Sequence, residues 1–263
     1  MVKYFNVVKS EIKFEIVLYF QNMVAVVTDL IVFSLIFLAF ILLNSGMSLA
    51  NTYNIDIQYS KVLLFMGYFV WTFSSRAMTC ISAELNFEAS NGYLFSKLTS
   101  ILPIQFLYFA KFIGALFSQF VIMMPVILIA FIFWPTPPIN ITSILAIGFI
   151  VVVDLIGMYG IGLLLGSITI YDKRLSRIPV LLSTILLFTS NTITYNDKIG
   201  EVLKFFPMNF ANDNVRKLVA GHHIVKSDLC IFAFLCFVLF FAGIFIFNIS
   251  KDKAREKGKI LWY

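Results

Sequence analysis

Long apolar runs separated by short polar breaks dominate the chain, a pattern that predicts helices crossing a membrane. A crossing needs about 20 apolar residues to span the roughly 30 Å hydrocarbon core. Residues 30–55 carry no charge, and VVTDLIVFSLIFLAFILL, which overlaps that stretch, places a first span at about 24–43. A second lies at about 62–82, between Lys61 and Glu84, with Arg76 close to one end. The charge-free run 112–153 is too long for one crossing. Consecutive prolines after Trp134 remove backbone donors and stop a helix, which divides this region into spans at about 104–134 and 141–167. Runs at about 178–194 and 229–249 complete a six-span reading.

Composition agrees: 60% of the residues are apolar and 13% charged, against about 45–50% and 25% in soluble domains. This excludes a soluble globular domain, a disordered chain and a nucleic-acid-binding one. The fold class expected is an all-α integral membrane protein, with residues 24–263 forming one transmembrane domain. The net charge of +6 reads as topogenic. Basic residues gather in the N-terminal segment (Lys3, Lys9, Lys13), at Lys97, at Lys173, Arg174 and Arg177, and in the tail from Lys251 to Lys259. The positive-inside rule therefore puts both termini in the cytoplasm of a multi-pass plasma-membrane protein. The three cysteines, Cys80, Cys230 and Cys236, form no disulfide framework or zinc spacing and read as buried, inert thiols.

Three segments are not simple spans. Residues 1–23 form an N-terminal interfacial unit: Phe5, Val8, Ile12 and Ile16 recur at helical spacing over 3–20, while Lys3, Asn6, Lys9 and Lys13 line another face. This segment precedes the first apolar run, so no cleavable leader is expected. Segment 195–228 carries one apolar stripe at Ile199, Val202, Leu203 and Phe206 and another at Val215, Leu218 and Val219. With a break at Pro207 and Asn209, this predicts two half-helices dipping into the outer leaflet and covered by the spans. In the loop after span two, Glu84 and Glu88 stand four apart on one helical face; Asn91-Gly92 offers a stop. The short run Tyr93-Leu94-Phe95-Ser96-Lys97-Leu98 follows, and Pro103 precedes span three. An apolar-faced helix in the cytosol needs a cover, either membrane lipid or a soluble partner.

That loop resembles the permease subunit of type 2 ATP-binding-cassette exporters, in which an acidic residue, a Gly-Thr-Leu-Glu-like turn and a proline follow span two. Glu84, Gly92-Tyr93-Leu94-Phe95 and Pro103 occupy those places, with Tyr93 and Phe95 departing from the pattern. FPMNFANDNVRKLVAG at 206–221 is similar to the family's stretch before the last span. The resemblance implies two permeases, as a homodimer or with a homologous permease, above two cytosolic ATPases. The helix at 84–98 would transmit ATP-driven closure through Glu84, Glu88, Gly92, Tyr93, Leu94 and Phe95. The chain has no phosphate loop. It is therefore read as no enzyme and as carrying no cofactor, ATP and magnesium belonging to the partner ATPase. The cargo implied is amphipathic or hydrophobic: a peptide, a drug-like molecule or a lipid-linked species.

Polar residues at membrane depth complete the reading. Asp154, near the middle of span four, is a candidate for the translocation path or for a structural hydrogen bond; an ionised carboxylate there costs about 2.5–3.5 kcal/mol or more. Aligning spans three and four places Lys111 at a different depth from Asp154, so the two are not expected to pair. Aligning spans one and two sets Asp29 beside Arg76, predicting a structural ion pair. Gly157, Gly160, Gly162 and Gly166 suit close helix packing, within the subunit or at a dimer seam. His222-His223 lacks ligands at metal spacing, so no metal site is expected. A self-contained secondary transporter is the alternative function. It would be expected to show internal repeats and paired membrane acids, and neither is evident. Intramembrane hydrolysis would need a base that this map does not supply.

Overall fold

Prolines and an Asn-Gly step set several of the helix ends. A computed structural model describes residues 2–42, 45–98, 103–135, 137–171, 173–193 and 203–256, and among them the chain is helical with no strand. The helices are α1 (Val2–Gln21), α2 (Met23–Leu42), α3 (Ser45–Thr52), α4 (Ser60–Ser90), α5 (Tyr93–Leu98), α6 (Ile104–Phe133) and α7 (Ile141–Tyr171), then α8 (Ile178–Thr189), α9 (Pro207–Val219) and α10 (Lys226–Glu256). Short 3-10 turns at Ile57–Tyr59 and Lys173–Arg177 lead into α4 and α8. The proline-rich break falls where expected, with α6 ending at Phe133 and α7 starting at Ile141.

Four helices, α2, α6, α7 and α10, are long and apolar enough to cross a membrane. Their exposed side chains, among them Leu35 on α2, Phe131 on α6, Leu145 on α7 and Phe241 on α10, give the bundle an apolar exterior. Such an exterior fits a membrane protein rather than one bathed in water.

The two remaining expected spans differ. The 31-residue α4 carries Arg76, Glu84 and Glu88, yet it is the most enclosed of the long helices. It packs against α7, α6, α9, α3 and α8, with Leu63, Leu64, Tyr68, Ala77, Met78, Ile81 and Leu85 buried. The run at 178–194 forms only the 12-residue α8, roughly 18 Å of helix. Bends follow at 190–193, where Asn191 takes a left-handed φ of 55°. Of the two half-helices expected in 195–228, the first falls largely outside the described residues. The second is α9, which starts at Pro207 and runs unbroken through Asn209. Proline is tolerated in the first turn, where its missing donor is not needed.

α1 packs on α6 and α2, with Val8, Ile12 and Ile16 half-buried and Asn6, Lys9 and Lys13 exposed. One end of the bundle holds α1, α5, the end of α4 and the start of α6. The C-terminal part of α10 joins them there, its Asn248 bonded to Gln105 of α6. The other end holds α3, α9 and the bends at 190–193.

α7 lies between α4 and α10, and its glycines make both seams. A side chain on Gly160 would meet the backbone of Leu239 and Phe240 at 2.6 Å, and one on Gly162 the carbonyls of Met78 and Ala77 at 2.8 and 2.9 Å. Gly243 of α10 faces Gly160 in return. The stripe therefore serves packing within the chain. Backbone cannot yield as a side-chain tip can. Gly160→Ala is expected to cost on the order of 1–3 kcal/mol through overpacking, read as a lower melting temperature in detergent. Adding Gly243→Ala should cost less than the sum of the singles, because both changes strike one contact.

Candidate functional site

The site with the densest chemistry lies at the α1 end. Asn91 and Gly92 terminate α4: Asn91 donates from its backbone (3.1 Å) and its side chain (2.8 Å) to the Phe87 carbonyl, and Gly92 adopts a φ of 75°. This reversal folds α5 back so that Lys97 reaches Glu88 Oε1 at 2.5 Å and Glu11 of α1 at 3.3 Å. From α6, Lys111 pairs with Glu84 and, at 3.0 Å, with Glu88 Oε1. Tyr108, one turn earlier on α6, donates to Glu88 Oε2 at 2.8 Å. Glu88, 1% exposed, is thus held by two ammonium groups and a phenol. One carboxylate ties α4, α5 and α6 together, and Lys97 extends the tie to α1.

Glu84 and Glu88 do share a face, as their spacing predicted. That face is turned into the protein. Glu88 presents no carboxylate at the surface, and Glu84 is largely covered by Lys111. What this end exposes instead is Gly92, Tyr93 (55% exposed) and Phe87, while Leu94 is buried. The side chain of Phe95 lies outside the described residues. A cavity of about 400 Å³ opens here, lined by residues of α1, α4, α5 and α6, among them Phe14, Phe87 and Tyr93.

Asp154 is fully buried in the seam between α7 and α4, its carboxyl against the hydroxyl of Ser74. The partner is on α4 rather than α6. Asp29 and Arg76 do not form the ion pair expected of them. Tyr19 of α1 donates to Asp29 at 3.1 Å instead. The depth match itself holds, since Phe37 of α2 stacks on Tyr68 of α4 at 5.1 Å and Tyr68 donates to the Phe33 carbonyl. Depth does not fix which way a side chain points around the helix, and Tyr19 comes from a helix outside the alignment. Cys80 and Cys236 are buried as read, whereas Cys230 is exposed. His222 meets the Tyr53 carbonyl at 2.9 Å. Among the described residues no group of three or more His, Cys, Asp or Glu is placed to hold a metal ion.

Sequence reasoning missed the polar knot at the opposite end. Arg216 of α9 is 0% exposed and donates to three backbone carbonyls: Leu63 of α4 at 3.0 Å, Thr192 at 2.5 Å and Asn191. Gly67 leaves room for the guanidinium, since any side chain there would run into it. Asn212, one turn before Arg216, donates to Thr192 Oγ1 and the Ser190 carbonyl, both at 3.0 Å. A usable signal was present. Met208, Val215 and Val219 share a helical face with Asn212 and Arg216, so an amide and a cation interrupt an apolar stripe. No family model and no curated protein matches the chain.

Proposed function

We propose that this chain is the permease subunit of a type 2 ATP-binding-cassette exporter. It works with a separate cytosolic ATPase and a second permease copy or homologue, and it exports an amphipathic or hydrophobic substrate. In this reading α2, α4, α6, α7, α8 and α10 make six passes through the plasma membrane, α8 completing its pass with the residues after it, and both termini face the cytoplasm. The observation that carries it is the arrangement around Glu88. A short helix that exposes Tyr93, α5, is ion-paired through Lys97 to Glu88 of α4, which also holds Lys111 of α6, and to Glu11 of the N-terminal amphipathic helix.

The mechanics follow from that geometry. A soluble ATPase seated on Tyr93 and Phe87 would press on α5. The Lys97–Glu88–Lys111 pairs would pass the displacement to α4 and α6 with little loss, since buried ion pairs are short and geometrically confined. ATP and magnesium remain with the partner. The role of Glu84 and Glu88 is then to transmit the load from inside, with Gly92, Tyr93 and Leu94 placing the contact surface.

Mild-detergent purification from native membranes, with stoichiometric companions identified by mass spectrometry, tests the proposal. A roughly equimolar soluble protein with a phosphate-loop sequence supports it, and a second membrane chain would settle homodimer against heterodimer. Recovery of the chain alone, under conditions that keep other transporter complexes intact, would overturn it in favour of a self-contained secondary transporter. The double variant Phe87→Ala, Tyr93→Ala is expected to insert and purify at normal yield while losing the ATPase. Retention of the ATPase in that variant would place its contact elsewhere.

A further inference from the structure

α1 carries two acids, and they are treated differently. Glu11 reaches Lys97, whereas Glu15, 7% exposed, makes no ion pair among the described residues. Its carboxyl faces the side of α4 that carries Glu84, and its Oε2 is buried without a partner. The stem of Glu15 rests in a notch over Gly114 of α6, where any side chain would meet its Cβ and Cγ at 2.9 Å. α1 therefore docks by inserting a carboxyl group into a nearly closed space.

The cations around that space are already engaged. Lys111 of α6 faces both Glu84 and Glu88, and Lys97 of α5 faces both Glu88 and Glu11. From α4, Arg76 and the Cys80 thiol also face Glu15. From α2, Asp29 is occupied by Tyr19 of α1. Four carboxyls thus share Lys97, Lys111 and the more distant Arg76. A carboxylate buried there with no cation of its own is costly, so Glu15 keeps its proton while it is docked.

We propose that α1 is docked on α4 and α6 by a protonated Glu15, and that loss of this proton releases the helix. The device depends only on the α1 contacts and not on the transporter reading. Burial first, and then the Glu84 charge, push the Glu15 carboxyl from 4.5 up to about 7, while Lys111 and Arg76 pull it down. Docked Glu15 keeps its proton through that interval, whereas a released and solvated Glu15 has already lost it. Docking is therefore strongest below pH 4.5, weakens as pH rises toward 7, and levels off above it.

Spin labels at the exposed positions Lys9 on α1 and Phe117 on α6, in the full chain with Cys230→Ser, report the docking by pulsed electron resonance in lipid nanodiscs. The expected result is one short distance at pH 5.5 and, at pH 8.5, a several-fold larger share of a longer one. Glu15→Gln keeps a donor without the titration and should hold the short distance at both pH values. An unchanged wild-type distribution across this range would overturn the proposal. So would a pH response that persists in Glu15→Gln.

Discussion

Arg216→Ala is expected to lower stability by about 3–5 kcal/mol, among the largest losses any single side chain here can cause. The guanidinium is fully buried and supplies the hydrogen bonds of three carbonyls, at Leu63, Asn191 and Thr192. Its removal takes a buried donor away from all three oxygens, and the helical bond of the Leu63 carbonyl does not tie α4 to the bends as the guanidinium does. Arg216→Lys should recover only a minor part, because an ammonium on a flexible stem cannot reproduce a planar fork reaching α4 and the bends together. Gly67→Ala should resemble Arg216→Ala, since the added methyl takes the guanidinium's place. Thermal unfolding of the detergent-purified protein checks all three. Melting temperatures within a degree or two of wild type would refute the argument.

Lys111→Met should produce a loss of similar size, about 3–5 kcal/mol, by the opposite route. Here the removed group is the cation, and the groups left behind are the carboxylates of Glu84 and Glu88. Adding Glu84→Gln should restore part of the stability, because the neutral amide no longer needs the lost ammonium. A Glu84→Gln, Lys111→Met double variant no more stable than Lys111→Met would count against the pairing. The same unfolding measurement decides it, run at pH 7.5 so that the carboxylates are ionised in the unfolded chain.

The helical class, four apolar crossings and the proline-marked break between α6 and α7 were legible because lipid imposes length and composition on a crossing helix. The polar contacts were much less so. Matching depths between neighbouring helices correctly separated Lys111 from Asp154 and correctly levelled α2 with α4. It could not supply rotation about a helix axis, and so it paired Asp29 with Arg76 while Tyr19 holds Asp29. Glu84 and Glu88 were recognised as one face, but of their partners Lys97 was read as a topology signal and Lys111 was weighed only against Asp154. Arg216 went unrecognised because its partners are carbonyls, and every residue has one.

α4 has a consequence for how the molecule is made. Its outer turns hold Arg216 through the Leu63 carbonyl, its middle meets Asp154 through Ser74, and its last turns carry Glu84 and Glu88. Each of those partners is synthesised later: Lys111 comes 27 residues after Glu84, Asp154 80 after Ser74, and Arg216 153 after Leu63. During translation α4 therefore emerges ahead of the lysines that neutralise its acids, and its composition alone does not make it a candidate for the lipid interior. It must be sheltered until α6 and α7 arrive, so the central shaft of the finished bundle is among the last pieces to settle. A nascent chain halted before α7 should leave α4 accessible from the aqueous side, although α2 is already in the bilayer.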